Sequence, residues 1–100
     1  IRYDDRGVGR STGDFDAATT EDFASDAEAA IDYLLSRDEI DPDQIGVIGH
    51  SEGGLVAAML GARNPELDFI IALAGPAVRG DEVLRLQIAL IMEVTGATPE

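Results

Sequence analysis

Apolar and polar positions along the chain fall into blocks with different periods. From Thr20 onward Phe23, Ala27, Ala30, Ile31 and Leu34 recur at spacings of three and four, while Asp26, Glu28 and Asp32 lie off that stripe. The spacing predicts an amphipathic helix ending near Arg37. Thr19 and Asp22 form a capping-box-like start, and acidic Glu21 and Asp22 suit the positive end of a helix dipole. Asp38 to Gln44 is charged, contains Pro42 and has no period, so it reads as a surface loop. Ile45-Gly46-Val47-Ile48 reads as a buried strand. Leu55 to Leu60 is apolar on all sides and Asn64-Pro65 stops it, which predicts a largely buried helix from about Glu52 to Arg63. Phe69 to Ala74 is a second expected buried strand, ended by Gly75-Pro76. Asp81 to Thr95 carries apolar residues at too many positions for a narrow stripe and reads as a helix needing partners on more than one side. Ile1 to Asp4 reads as the carboxyl end of a strand, followed by a glycine-punctuated loop to about Ala18.

The resulting order is strand, loop, helix, strand, helix, strand, helix, the alternation of a parallel α/β sheet. There are no internal repeats, linkers or low-complexity tracts.

Composition narrows the chemistry. The 100 residues include no Cys, which removes disulfides, zinc ribbons, iron–sulfur sites and thiol nucleophiles. The 7 basic residues are all Arg against 20 acidic ones, a net charge of -13, so a groove that tracks a phosphate backbone cannot be assembled and nucleic acid is not expected as a partner. The apolar runs, such as Phe69 to Pro76, are too short to span a bilayer and no basic segment precedes a hydrophobic core, so the chain reads as soluble and without a membrane span. The absence of Lys and the carboxylate excess suggest a high-salt environment, codon bias being the alternative. The chain opens at Ile1 and closes on Thr98-Pro99-Glu100 with no obvious terminal element, as a segment of something longer would.

Gly49-His50-Ser51-Glu52-Gly53 fits G-x-S-x-G, the nucleophile elbow, in the expected setting between a strand and a helix. Serine is a poor nucleophile unless a sharp, strained turn presents its hydroxyl to a base. Glycines two positions on either side allow strand and helix to approach closely, and Gly54 adds another small residue there. The turn puts Ser51 at a helix amino terminus, where the Glu52 N–H can donate to a developing oxyanion. A glycine-rich βα turn with an incidental Ser is the competing reading. Gly7-Val8-Gly9 invites comparison with a dinucleotide fingerprint, but the next glycine, Gly13, is one position late, no helix starts there, and Asp14 and Asp16 would repel a phosphate. That loop is expected to shape the rim of the sheet.

Arg2-Tyr3-Asp4-Asp5-Arg6-Gly7-Val8-Gly9-Arg10-Ser11, Thr20-Glu21-Asp22-Phe23 and Gly46 to Gly54 together resemble the α/β-hydrolase superfamily, within it the esterase branch grouped with the serine aminopeptidase-like (S33-type) hydrolases. The resemblance implies a partial α/β-hydrolase fold: a core over residues 1–78 with the elbow, and the start of a helical cap over 79–100. It implies a serine hydrolase acting on small-molecule carboxylic esters through an acyl-enzyme on Ser51, with the Glu52 N–H as one oxyanion donor and Gly49, His50, Gly53 and Gly54 forming the elbow. Asp4, Asp5, Arg6 and Gly7 would organise the active-site rim. No metal or organic cofactor is implied.

The triad of this fold runs Ser, acid, His, and no His follows Ser51. His50, adjacent to the nucleophile, points away from its hydroxyl and is expected as a packing residue. Asp81 is a candidate acid, or equally a helix N-cap, and the Glu52 side chain either lines the pocket or is solvated. The base, the acid and the second oxyanion donor are expected outside these 100 residues, as is the strand that the family places between Ile1–Asp4 and the elbow strand. Taken alone, the segment should therefore be inactive, leave a slot in its sheet or pair Ile1–Asp4 elsewhere, and could self-associate. An aminopeptidase or amidase, and a non-catalytic binding domain of the same fold, are the alternative functions.

Overall fold

The computed structural model describes residues 1–96; the expectation concerning Thr98-Pro99-Glu100 lies outside them. Its elements in chain order are α1 (Thr20–Leu35), a 3-10 turn (Pro42–Gln44), β1 (Gly46–His50), α2 (Glu52–Arg63), β2 (Phe69–Leu73) and α3 (Gly80–Thr95). The alternation expected from the periodicity is present, and β1 and β2 form a two-stranded parallel sheet pairing Gly46 with Phe69 through His50 with Leu73.

Each boundary has a local cause. Thr19 caps α1: its hydroxyl accepts from the Asp22 N–H while the Asp22 carboxylate accepts from the Thr19 N–H, so two otherwise orphaned amides are satisfied. Asp41 caps the 3-10 turn with one such bond, its carboxylate accepting from the Asp43 N–H, and Pro42 stands at the start. Gly96 ends α3 in the left-handed conformation at φ 68°.

The core lies between α1 and α2 and beneath one face of the sheet. Ala24, Ala27 and Ile31 of α1 meet Val56 and Leu60 of α2, with Ile45 closing the cluster and Leu60 wholly buried. Arg6 ties the amino-terminal loop to α1 through Asp26 at 2.7 Å and Asp22 at 3.3 Å. Arg63 at the end of α2 reaches back to Glu28 of α1 at 2.8 Å.

Several expectations are corrected. Neither strand is buried: β2 is exposed throughout, and Ile48 of β1 is 64% exposed. α2 packs on only the face bearing Val47, Ile70 and Ala72, and covers it in part: Gly61 lies against Ile70 and Gly54 against Ala72. The alternation of side chains sends Ile48, Ile71 and Leu73 to the other face, which no described element covers. Ile1–Asp4 forms no strand, because no described segment offers it a ladder; instead Asp4 closes the following loop, accepting from the Arg10 N–H and, through its carbonyl, from the Ser11 hydroxyl. The helix over the last stretch forms, but none of its residues is buried and Val94 is 85% exposed, so the partners its pattern calls for are not among the described residues.

Candidate active site

The turn from β1 into α2 is made by a single residue. His50 is the last residue of the strand, Glu52 the first of the helix, and Ser51 between them has φ 55° and ψ −118°. A non-glycine residue in that region costs on the order of 1–3 kcal/mol and persists only where its surroundings impose it. Here the Ser51 N–H donates to the Leu73 carbonyl at 2.9 Å, and the Ser51 carbonyl accepts from the Gly54 N–H at 2.9 Å. The strained residue is thus pinned on one side to the end of β2 and on the other to the first turn of its own helix.

The glycines around it divide by role. Gly49 is buried, and a Cβ there would overlap the Gly53 carbonyl. Gly54 faces Gly75, so that a Cβ would come within 2.7 Å of the Gly75 Cα. A Cβ at Gly53, by contrast, would meet nothing within 4 Å. The close approach therefore requires Gly49 and Gly54, and Gly53 is not sterically required as the sequence pattern suggests.

Ser51 opens into a pocket of about 540 Å³ between the elbow and α3. Thr20, Glu52 and Gln87 supply its other polar groups, and Leu55, Pro76, Val83, Leu84 and Leu90 much of its apolar wall. Glu52 lines this pocket and is at the same time solvent-exposed, so its two expected placements coincide, and the Thr20 hydroxyl donates to its carboxylate at 2.7 Å. Ala74, at the mouth of β2, lines the same pocket and has φ 50°. The first amides of a helix have no carbonyl four residues back to bond, and the Glu52 N–H is the first of α2.

The remaining sequence candidates lie elsewhere. His50 is exposed on the open sheet face and packs against no core, a correction that follows from the missing cover on that side. Asp81 is not an N-cap: Arg79 holds that position, and Asp81 is inside α3, paired with Arg79 at 3.1 Å. Asp4, Asp5, Arg6 and Gly7 do not line the Ser51 pocket; Asp4 and Arg6 border a separate concavity with Tyr3 and Arg10. In that loop Gly7 has φ 72°, and a Cβ there would crowd the Phe15 N–H at 2.7 Å. Tyr3 there has its hydroxyl pKa raised, first by burial and then by the carboxylates of Asp5 and Asp26. Thr20 and Ala74 are among the pocket residues that sequence reasoning missed. Thr20 carries only a helix-start signal, and its meeting with Glu52 spans 32 positions; Ala74 has no signal, since alanine is not the residue expected at a positive φ. Among the described residues no cluster of His, Asp or Glu could hold a metal ion, and no helix is long and apolar enough to cross a membrane.

The family model described as serine aminopeptidase, S33, matches residues 1–98. Among curated relatives, the α/β hydrolase domain-containing protein WAV2 of Arabidopsis thaliana is 41% identical over 61 residues, which are 61% of this chain and 19% of that protein. The putative hydrolase YtaP of Bacillus subtilis is 40% identical over 48 residues, 48% of this chain and 16% of that protein. The matched segment is thus under a fifth of the length of either relative.

Proposed function

We propose, on the premise that this chain belongs to the serine aminopeptidase S33 family of α/β hydrolases, that Ser51 is the nucleophile of a carboxylic ester hydrolase. The observation that supports this most is the backbone of Ser51, held at φ 55° between the end of β1 and the start of α2. Strain of that kind is kept where it serves presentation of a side chain.

In this reading the Ser51 Oγ attacks the acyl carbon of the ester while its proton passes to a histidine supplied outside these residues. The carbonyl electron pair moves to the oxygen, where the Glu52 N–H at the positive end of α2 stabilises it. Collapse of the tetrahedral intermediate breaks the bond to the alkoxy oxygen, which takes the proton and leaves as alcohol. Water then attacks the acyl-enzyme by the same steps in reverse order, releasing the acid and restoring Ser51. Asp4, Asp5, Arg6 and Gly7 have a structural part, in the loop that Arg6 fastens to α1, and α3 begins a cap over the pocket.

A fluorophosphonate probe applied to the full-length protein tests this. Labelling of the wild type that disappears in Ser51→Ala is the expected result, with kcat for a short-chain aryl ester falling by about 10⁴-fold or more. A wild type that resists the probe would mark a binding domain that keeps the elbow without the chemistry. Faster turnover of aminoacyl amides than of matched esters would move the assignment to an aminopeptidase.

A further inference from the structure

The α3 side of the Ser51 pocket is apolar apart from the neutral amide of Gln87, and Thr20, Ser51 and Glu52 supply the polar groups of the other side. Glu52 is the only charged residue among those that line it. Its carboxylate is fixed by the Thr20 hydroxyl at 2.7 Å and forms none of the ion pairs found among the described residues, whereas Arg6, Arg37, Arg63 and Arg79 are each engaged with other carboxylates. A carboxylate without a counter-ion, one residue from the nucleophile, gives the pocket a negative potential where a substrate's acyl group would lie.

We infer that Glu52, held by Thr20, is a charge filter that admits esters of uncharged apolar acids and turns away those whose acyl chain ends in a second carboxylate. The inference rests on Ser51 being the nucleophile. Thr20 matters because a free glutamate would swing into solvent and lose its effect, while the hydroxyl bond keeps the charge at the pocket wall. Apolar contacts then come from Leu84 and Leu90, which suit a hydrocarbon chain, and the single amide of Gln87 between them carries no charge to offset that of Glu52. Two like charges about 7 Å apart in a partly solvated setting shift an equilibrium by roughly tenfold.

The test uses the full-length protein in the Ser51→Ala background, so that binding is read without turnover. Two fluorescent amide isosteres of equal chain length are compared by anisotropy at low salt, one ending in a methyl group and the other in a carboxylate. The methyl-ended ligand should bind about tenfold more tightly, and adding Glu52→Gln should bring the ratio to about twofold. Leu86→Lys, which places a cation on the exposed opposite wall without disturbing the core, should lower the ratio as well. If the ratio stays within twofold of its parent value in both variants, the preference comes from the overall charge of -13 and the filter is overturned. Failure of the methyl-ended ligand to bind at millimolar concentration overturns it too. Neither result touches the nucleophile assignment, which stands or falls on probe labelling of the wild type.

Discussion

At the scale of single residues, the elbow depends on which glycines lack space for a side chain. Gly49→Ala forces a methyl group into the Gly53 carbonyl, so thermal denaturation of the full-length variant should show a loss of several kcal/mol, or no folded protein. Gly53→Ala meets nothing and removes a flexible residue from the first turn of α2; the same measurement should show it neutral or more stable by up to about 1 kcal/mol. Equal destabilisation by the two substitutions would contradict the packing described. In the core, Leu60→Ala empties a fully buried site and should cost about 2–5 kcal/mol in a denaturant titration.

At the scale of elements, α1 is set by its ends and by charge. Thr19→Ala removes one side of the capping box and should cost about 1 kcal/mol. Asp22 has its pKa lowered, first by the Thr19 N–H, then by the Thr19 hydroxyl, with a smaller contribution from Arg6. A depressed native pKa means that the unfolded chain binds the proton more readily. The stabilisation is therefore fully present above the ordinary aspartate value of 3.8 and is lost as pH falls below it. Stability of the wild type should drop through that acidic window more steeply than that of Asp22→Asn, and parallel curves would show that the box contributes nothing there. Much of α1 is legible in the sequence because capping and periodicity are local. The bond from Thr20 to Glu52 is not, because it needs two helix starts to meet in space.

At the scale of the whole molecule, the described residues build one covered sheet face and leave the other, together with α3, open. Ile48, Ile71, Leu73 and the α3 side chains Leu84, Leu90 and Val94 are all exposed, and large apolar side chains left open in such numbers favour association. Produced as these 100 residues alone, the chain should bind a hydrophobic dye and sediment as a concentration-dependent association. A monodisperse monomer without dye binding would show that the open face tolerates water. The charge of -13 acts at the same scale. If it answers to a saline environment, the melting temperature of the full-length protein should rise in molar salt, and a flat or falling curve would favour codon bias.

What the sequence determined by itself depends on near neighbours: α2 over Glu52–Arg63, the capping box of α1, the order of strands and helices from α1 onward, and the elbow around Ser51. These follow from periods, caps and backbone preferences, which act over a few residues. The tertiary structure decided what lies against what. It brought Thr20 and Ala74 to Ser51, left His50 and β2 in the open, turned Asp81 into a partner of Arg79, and withheld a strand from Ile1–Asp4. A residue's pattern states which side it could bury; only the presence of a covering element decides whether it does.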